Sequence, residues 1–328
     1  MRIKKRFNHL GGKAIRYFTG LVDPPALVLL YHRVAELLCD RHLLVVRPDN
    51  FYWQVEYLKK HYNLINVEEF CHILNRRYKF PPRSILITFD DGYADNYNTA
   101  LPILESLRAQ ALFFITTSYM DSGREFWWDE LEQIVSTQEK LPDCFDIING
   151  KENNSIDRSA LKDRDQLYIL LHRIIKGHKP DERRQIFDQL YKMTECSYET
   201  RQQNRPISKL EVNKLSQSPS ALIGAHTHTH TPLSLLNYKE QIEDIRKSKI
   251  ILEEIIGKKI KYFSYPFGAK VDYNKNSVKI VRDLEFDMAV INSFWPVHRW
   301  TDIFQIPRII IRDWKPLEFK STIEMFLK

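Results

Sequence analysis

Short apolar runs that alternate with helical patterns are the feature of this sequence that most constrains its fold. Each run ends in polar residues and is hydrophobic throughout rather than at every second position. The runs are PALVLLYHRV at 25–34, SILITFDDG at 84–92, ALFFITT at 111–117, ALIGAH at 221–226, KYFSYPFG at 261–268, FDMAVIN at 286–292 and IPRIIIRD at 306–313. Continuous hydrophobicity predicts strands buried on both faces, and strands that alternate with helices predict parallel pairing. We therefore expect an α/β fold of the barrel type.

The stretch 121–220 interrupts this alternation because it is polar and charged. Its helical patches, DQLYILLHRIIK at 165–176 and DERRQIFDQLYKM at 181–193, predict a helical insertion between two barrel strands. The insertion is a lid, a wall of a substrate site or an ordinary packed excursion, and the pattern does not distinguish these. Because α/β barrels of this length commonly form one domain, we predict a single domain over residues 1–328.

The amino-terminal segment 1–22 is a basic arm. The basic residues that precede the first acidic residue, Asp23, are Arg2, Lys4, Lys5, Arg6, Lys13 and Arg16. Such an arm favours contact with anionic lipid head groups or an acidic partner, although a charged run is often only a solvated surface. The sequence contains neither an apolar run of the roughly 20 residues that span a membrane nor a secretory signal. We expect a cytoplasmic protein, with peripheral contact at the inner face of the membrane through the arm.

The overall charge gives no reason to expect a nucleic-acid partner. The formal net charge is +7 at pH 7. Charge of this size indicates binding of DNA or RNA only when it accompanies a recognisable binding motif. We find no such motif, so we predict that the protein does not bind nucleic acid.

Two adjacent carboxylates follow the second apolar run, in the segment ITFDDGY at 87–93. In parallel α/β folds ligands bind beyond the carboxyl ends of the strands, so Asp90 and Asp91 lie where chemistry is expected. Adjacent residues that leave a strand point in different directions. One carboxylate can therefore hold a metal ion while the other faces a reacting water. The competing interpretation is an acidic turn that caps the next helix.

Three histidines stand at alternate positions of the segment GAHTHTHTPLS at 224–234. In an ideal strand His226, His228 and His230 would share one face. In a helical turn only His226 and His230 lie on one side, and Asp91 would complete a set of two imidazoles and one carboxylate. Three protein ligands with an open position for water are typical of a catalytic metal site. The competing interpretation is that these histidines are solvated loop residues.

These motifs, taken in order, resemble those of a known family. TFDDG at 88–92, HTHTH at 226–230 and YPFG at 265–268 are similar to the successive motifs of the NodB-like polysaccharide deacetylases, carbohydrate esterase family 4. LLYHRV at 29–34, FWWDEL at 126–131 and IPRI at 306–309 resemble elements of the branch found with bacterial surface-polysaccharide genes. The resemblance implies a distorted (β/α) barrel and metal-dependent removal of N-acetyl groups from a sugar.

The resemblance also implies roles for individual residues. Asp90 matches the general base, and the residues that match the metal ligands are Asp91, His226 and His230. The expected cofactor is Zn²⁺, although a mixed nitrogen and oxygen site also accepts Co²⁺, Ni²⁺ or Mn²⁺. The backbone N–H near Phe267 is the candidate donor to an oxyanion. The residues expected to bind an N-acetylated saccharide are Tyr93, Tyr265, Pro266, Phe267 and Arg308. Trp127, Trp128 and Trp314 are either platforms for a sugar ring or packing residues.

Two positions depart from the family pattern. The third motif often carries an arginine two residues before the proline, where this chain has Ser264, and Arg308 is the candidate substitute for orienting the base. The late histidine that usually acts as the general acid has no clear match near the carboxyl end. His32 and His298 are the candidates, of which we favour His32. If neither acts, water or protonated Asp90 must supply the proton.

The leading hypothesis is a metal-dependent deacetylase that hydrolyses the N-acetyl group of an amino sugar in a bacterial surface polysaccharide or its precursor. A second hypothesis is that the two departures mark a catalytically impaired protein that binds a saccharide or a biosynthetic partner. A third is an O-acetyl esterase, which would use the same site on a different bond. The sequence does not distinguish a polymeric substrate from a lipid-linked one.

Overall fold

The computed structural model describes residues 23–137, 141–149 and 152–327. The strands are β1 (Ala26–Tyr31), β2 (Arg33–Val34), β3 (Val45–Val46), β4 (Asn63–Leu64), β5 (Ser84–Phe89), β6 (Ala111–Ile115), β7 (Cys144–Asn149), β8 (Glu152–Asp157), β9 (Ala221–Ala225), β10 (Tyr262–Ser264), β11 (Met288–Asn292) and β12 (Ile306–Ile310). The α-helices are α1 (Pro48–His61), α2 (Val67–Arg76), α3 (Leu101–Ser106), α4 (Trp127–Thr137), α5 (Arg164–Lys176), α6 (Pro180–Thr194), α7 (Lys209–Gln217), α8 (Tyr238–Ile256), α9 (Lys275–Asp283) and α10 (Pro316–Leu327). Turns of 3₁₀ helix cover Arg158–Ala160, Gln202–Asn204 and Leu233–Leu235, and a π-helical turn covers Asn96–Ala100.

Strands within all of the predicted apolar runs close into a parallel barrel. Around the barrel the order is β1, β12, β11, β10, β9, β6 and β5. β5 pairs again with β1, in a register that runs from Ala26 opposite Ser84 to Tyr31 opposite Phe89. The short strand β4 pairs with the first residues of β5 outside this ring. The predicted distorted (β/α) barrel is therefore confirmed.

Apolar residues on both faces of the strands form the core, which is why the runs are hydrophobic throughout. Leu29 of β1 is fully buried in a cluster that includes residues of helices α1, α3 and α8. Val28, its neighbour on the opposite face, is buried in a second cluster with residues from β5, β6 and β11. Val67 and Phe70 of helix α2 join this second cluster. Helix α2 therefore closes one end of the barrel interior with apolar side chains.

The other end of the barrel interior is polar. Thr88 of β5, Ser264 of β10 and Arg308 of β12 are all buried there, and Asp90 follows directly after β5. Because the barrel strands are parallel, their carboxyl ends meet at this end of the barrel. The fold thus brings the loops after β1, β5, β9 and β12 together around a buried polar layer.

The segment between β6 and β9 differs from the predicted helical insertion in two ways. It contains helices α4, α5 and α6, but it also contains an antiparallel hairpin formed by β7 and β8. Its last helix, α7, lies against β9 and α8 and contributes Val212 and Leu215 to the main core. Helix α7 is thus a barrel helix, and the excursion from the barrel ends before it. The excursion has its own buried cluster, which includes Phe145 and Leu171.

Side chains of helices α5 and α6 form polar contacts between the excursion and the loops at the carboxyl end of the barrel. Nζ of Lys176 lies 2.7 Å from Oδ1 of Asp272. Arg183 donates to the hydroxyl of Thr231, a buried pair. Thr231 directly follows the histidine segment, so the excursion contacts the predicted site itself.

The described residues include no helix that is long and apolar enough to cross a membrane. The basic arm 1–22 lies outside the described residues. Its predicted contact with an anionic membrane therefore stays a prediction.

Candidate active site

Three side chains from two loops at the carboxyl end of the barrel converge on one point. Asp91 follows β5, and His226 and His230 follow β9. Oδ1 of Asp91 lies 3.5 Å from Nε2 of His226 and 3.2 Å from Nε2 of His230. The two Nε2 atoms are 3.1 Å apart. One ligand atom from each residue lies within 4.8 Å of the others, which suits joint coordination of one ion.

The backbone around these residues adopts conformations that L-residues rarely take. Asp91, Thr227 and His230 have positive φ values of 74°, 62° and 51°. The Thr227 hydroxyl accepts a hydrogen bond from the backbone N–H of His230 at 3.1 Å, which holds the turn. His228 points elsewhere, and its Nδ1 lies 2.9 Å from the hydroxyl of Thr117. Strained backbone of this kind costs about 1–3 kcal/mol per residue and is concentrated at functional sites.

The two histidines are oriented by their neighbours. Nδ1 of His226 donates to the backbone oxygen of Ser264 at 2.8 Å, so its Nε2 is left to face the cluster. The ring of His230 contacts the rings of Trp128 and Phe267, each with a centroid separation of 4.8 Å. These contacts fix the direction of both Nε2 atoms before any ligand binds.

The protonation states suit a metal ion. Burial opposes ionisation of Asp91, but hydrogen bonds from His226 and His230 hold its pKa well below the usual value. Burial lowers the pKa of His230 to about 4, so its imidazole is neutral at pH 7. Burial also disfavours the charged form of His226, but the carboxylates of Asp90 and Asp91 outweigh this and raise its pKa. Binding of a cation by His226 must therefore displace a proton.

Asp90 lies beside this cluster and is held by a buried arginine. Nη1 and Nη2 of Arg308 donate to Oδ1 and Oδ2 of Asp90 at 2.7 and 2.5 Å. The Ser264 hydroxyl donates to Oδ2 of Asp90 at 3.0 Å and accepts from Nη2 of Arg308 at 2.9 Å. Burial opposes ionisation of Asp90, but Arg308 and His226 lower its pKa below 3.8. Asp90 is therefore a carboxylate at neutral pH, and its Oδ2 lies 3.8 Å from Nε2 of His226.

These side chains open onto a cavity of about 200 Å³. The remaining residues of its wall are His32, His42, Leu44, Trp128, His172, Phe267, Asn292, Ile310 and Arg312. His42, His172, Asn292 and Arg312 were not predicted, because they come from separate elements and belong to none of the motifs that resemble the family. The arrangement combines an ionised carboxylate, a candidate metal site and room for a small part of a substrate.

Comparison with known proteins identifies the family. A family model described as "Polysaccharide deacetylase" matches residues 77–140 and 189–289, which make up half of the chain. The chain belongs to the polysaccharide deacetylase family. The resemblance seen in the sequence motifs is therefore confirmed.

Curated relatives of this deacetylase-family chain cover only part of it. The poly-beta-1,6-N-acetyl-D-glucosamine N-deacetylase of Staphylococcus aureus strain MSSA476 is 26% identical over 167 residues, 47% of this chain and 51% of that protein. The same enzyme from strain MRSA252 is 30% identical over 120 residues, 30% of this chain and 41% of that protein. The chain spans between 30% and 51% of the length of the curated relatives that it matches.

Solved deacetylase structures share the fold. Streptococcus pyogenes deacetylase PplD, solved in complex with acetate, superposes with a TM-score of 0.61 at 16% identity, over 93% of this chain and 99% of that one. IcaB from Ammonifex degensii superposes with a TM-score of 0.57 at 18% identity, over 93% of this chain and 98% of that one. At these identities the likeness concerns the barrel and not the substrate.

The matched ranges divide the cavity wall into two groups. The residues inside them include Asp90, Asp91, His226 and His230. The residues outside them include His32, His42, His172, Ile310 and Arg312. Asp90 and the candidate metal ligands thus lie in the part of the chain that matches the family, whereas much of the remaining wall lies outside it.

The two histidines considered as the general acid lie at opposite ends of the barrel. His32 follows β1 and lines the cavity, and its Nδ1 is buried without a hydrogen-bond partner among the described residues. Nδ1 of His298 lies 3.5 Å from Oδ2 of Asp23, beside the amino end of β1. His298 is therefore excluded by position, and His32 stays the candidate.

Arg308 does not contact the cavity, which corrects the prediction that it binds substrate. Its side chain is fully buried, and both of its terminal nitrogens are engaged by Asp90 and Ser264. Its position fits the second expectation for Arg308, which was that it takes the role of the arginine that the family often has where this chain has Ser264. Arg308 is a residue that positions the Asp90 carboxylate.

The other residues predicted to bind a saccharide are placed differently from one another. Phe267 lines the cavity, but Tyr265 and Pro266 are buried and do not. The Tyr265 hydroxyl donates to the backbone oxygen of Phe304 at 3.2 Å, and its ring stacks on Tyr273. The expectation of substrate contact is therefore corrected for Tyr265 and Pro266, which support the loop that carries Phe267.

Tyr93 lines an adjoining cavity of about 50 Å³ and not the larger one. Its hydroxyl accepts from Nε1 of Trp128 at 2.6 Å and donates to Oδ2 of Asp129 at 2.6 Å. Trp128 lines both cavities. Tyr93 therefore holds the Trp128 ring against His230 and is not placed to contact a saccharide in the main cavity. Trp127 and Trp314 do not line that cavity either.

Proposed function

We propose that this chain is a metal-dependent deacetylase that hydrolyses the N-acetyl group of an amino sugar in a bacterial surface polysaccharide or its precursor. The observation that carries the proposal is the ionised carboxylate of Asp90 beside the converging side chains of Asp91, His226 and His230. Family membership supports hydrolysis of an acetyl group. The Staphylococcus aureus relatives are named for N-deacetylation of poly-β-1,6-N-acetylglucosamine, which supports an amino sugar as the substrate.

Asp91, His226 and His230 are the residues that would hold the metal ion. Two imidazoles and one carboxylate suit Zn²⁺ and leave an open position, and they also accept Co²⁺, Ni²⁺ or Mn²⁺. When bound, the ion supplies Lewis acidity to the acetyl carbonyl and to the attacking water. The fit rests on the neutral ring of His230 and the ionised side chain of Asp91.

Asp90 is the general base in this scheme. Its carboxylate takes a proton from the water that attacks the acetyl carbon, a role that requires it to be ionised and within reach of the cavity. Arg308 and Ser264 meet both needs, since they keep the carboxylate ionised and hold it in one orientation. Removal of a general base typically costs about 10²–10⁴-fold in rate.

Two further groups act on the tetrahedral carbon that forms. The backbone N–H near Phe267, at a residue with a φ of 60°, is the candidate donor to its oxyanion. The C–N bond then breaks, and the amine nitrogen takes a proton, for which His32 is the candidate donor. Burial lowers the pKa of His32 more than Asp91 and Asp90 raise it, so its ring, once protonated, gives up the proton more readily than an ordinary imidazolium. Acetate and the free amine leave.

The two competing hypotheses receive less support. A catalytically impaired protein was suggested by the departures at Ser264 and at the late histidine. Arg308 binds Asp90, as the arginine missing at Ser264 was expected to do. His32 lines the cavity and is the candidate for the role of the missing late histidine. An O-acetyl esterase would use the same site, so acetate release from N-acetylated and O-acetylated forms of one sugar would separate the two activities.

The proposal is tested by acetate release from N-acetylhexosamine oligomers with added Zn²⁺ or Co²⁺. We expect turnover by the wild type and loss of at least about 100-fold in Asp90→Asn. Asp143→Asn is the matched control, because Asp143 is 95% exposed on the surface, and it should match the wild type. Normal turnover by Asp90→Asn would remove Asp90 from the mechanism, and no acetate release by the wild type from any acetylated sugar would refute the proposed function.

A further inference from the structure

Part of the cavity wall carries a positive charge that pairs with no acidic side chain in the part of the chain that the structure describes. Arg312 lines the cavity, and its Nη1 donates to the backbone oxygens of His42 and Leu43 at 3.2 and 3.1 Å. Among the described residues it forms no ion pair with a carboxylate. The carboxylates of the cavity are engaged elsewhere, Asp90 by Arg308 and Asp91 by the two histidines. The remaining nitrogens of the Arg312 guanidinium are thus available to a ligand.

Two imidazoles line the same cavity, one from the loop whose backbone accepts from Arg312 and one from helix α5. The rings of His42 and His172 have centroids 4.8 Å apart, and both residues line the cavity. Nε2 of His42 lies 2.7 Å from the Tyr168 hydroxyl, which holds its ring in place. The His172 ring has no hydrogen-bond partner among the described residues. Burial lowers the pKa of His172 to about 3, so at neutral pH it is a neutral ring that can donate one hydrogen bond.

These three residues lie outside the part of the chain that matches the family model. His42, His172 and Arg312 all lie outside the ranges that match the family model, whereas the base and the candidate metal ligands lie inside them. Residues that recognise a particular substrate are expected to differ between members of a family that share one reaction. The three side chains line the cavity from parts of the chain outside the shared family pattern, where differences in substrate recognition between members are expected.

We propose that Arg312, His42 and His172 form a subsite for an anionic group that the substrate carries next to its acetamido sugar. A guanidinium presents a planar fork of donors that matches phosphate and carboxylate oxygens, and an imidazole N–H adds a further donor. The anion is a phosphate on the sugar or the carboxylate of a neighbouring uronic acid. The inference rests on the proposed function, because it concerns the substrate of the same cavity.

The experiment compares substrates that differ only in the anionic group. The probes are N-acetylglucosamine 1-phosphate, a disaccharide of N-acetylglucosamine and a uronic acid, and the neutral methyl glycoside of N-acetylglucosamine. We expect the wild type to show a kcat/KM roughly 10- to 100-fold higher for one anionic probe than for the neutral one, the range typical of charge-assisted hydrogen bonds. Preference for the first probe identifies phosphate, and preference for the second identifies carboxylate.

Arg312→Gln should lower this ratio to near one, and Arg312→Lys should retain part of it because it keeps the charge without the fork. Arg282→Gln is the matched control, since Arg282 pairs with Asp302 on the surface, and it should keep the wild-type ratio. Equal turnover of the charged and neutral probes by the wild type would overturn the subsite. An equal loss for all probes in Arg312→Gln would also overturn it, because Arg312 would then only hold the loop that carries His42.

Equilibrium binding separates failure of the subsite from failure of the proposed function. If the wild type releases no acetate either from these probes or from N-acetylhexosamine oligomers, the proposed function fails, and calorimetric titration with N-acetylglucosamine 1-phosphate and with the uronic disaccharide still tests the subsite. Weaker binding of one anionic probe by Arg312→Gln, with normal binding by Arg282→Gln, supports it. The subsite is contradicted if the wild type binds neither anionic probe. It is also contradicted if Arg312→Gln binds both probes as tightly as the wild type does. Thermal melting of each variant verifies that it is folded.

Discussion

Arg308 and Asp90 are 218 residues apart in the sequence and form a two-pronged ion pair inside the barrel, with nitrogen–oxygen distances of 2.7 and 2.5 Å. Both side chains are almost entirely removed from solvent. The pair fixes the orientation of the proposed base and keeps it ionised. This chain has Ser264 at the position where the family often has arginine, and the guanidinium that contacts the Asp90 carboxylate comes instead from β12.

Replacement of Arg308 by methionine should impair both stability and activity. Removing one partner of a buried ion pair typically costs about 3–5 kcal/mol in the free energy of unfolding. In the wild type the folded-state pKa of Asp90 is lowered. Asp90 therefore stabilises the fold at pH values above the pKa of an unfolded aspartate, and this contribution is lost as the pH falls through the folded-state pKa. In Arg308→Met this pattern should disappear, and the acid limb of the pH–rate profile should move to higher pH. Urea unfolding and pH–rate measurements check both, and an unshifted profile would contradict the assigned role of Arg308.

His32 should affect the departure of the amine more than the attack of water. We expect His32→Asn to lower kcat for an N-acetylated sugar by about 10²–10⁴-fold. Its effect on an acetate ester with a good leaving group should be much smaller, because such a group needs no proton. His298→Asn, at the other end of the barrel, is the matched control and should behave as the wild type. Equal losses on the amide and the ester would exclude His32 as the acid.

Asp129 should make the stability of the protein depend on pH between about 4 and 7. Burial raises the pKa of Asp129 to about 7, although Arg33 opposes this. Between the unfolded and folded pKa values the folded protein keeps a proton that the unfolded chain has released. The free energy of unfolding therefore falls as the pH rises to about 7 and changes no further above it.

Asp129→Asn removes this dependence, so its melting temperature should gain on that of the wild type from pH 4 to pH 7 and then stay level. Melting curves across this range provide the measurement. Asp188→Asn, a substitution at a side chain that is 60% exposed, should show no such trend. A constant difference between Asp129→Asn and the wild type would show that the Asp129 carboxyl does not retain its proton in the folded state.

The sequence predicted the barrel well because its physical signal is local. A strand buried on both faces must be apolar along its whole length, so β1, β5 and β12 could be recognised from their residues alone. The hairpin of β7 and β8 was missed because ENNSID, the sequence of β8, has little of the apolar character that marks a strand. Its other strand, CFDIIN, lies within a polar stretch that resembled a helical excursion.

Only the site residues that come soon after a strand end could be predicted from the sequence. Asp90, Asp91 and His226 follow strand ends directly, and His230 stands four residues after His226, so the rule for parallel sheets placed them together. Arg308 gave a weaker signal, since a lone arginine within an apolar strand indicates a buried partner but does not name it. His42, His172 and Arg312 gave none, because their proximity depends on how loops and the excursion fold back over the barrel.

Metal binding by the two histidine variants tests the central claim most directly. The claim is that Asp91, His226 and His230 hold one divalent ion, with His228 turned away. Zn²⁺ should bind to the wild type with one ion per chain, measured by competition with a chelator and by elemental analysis. His230→Gln should weaken binding by roughly 100-fold or more, and His228→Gln, two residues away in the same loop, should bind as the wild type does. Absence of Zn²⁺, Co²⁺, Ni²⁺ and Mn²⁺ binding by the wild type, or equal weakening in the two variants, would contradict the claim.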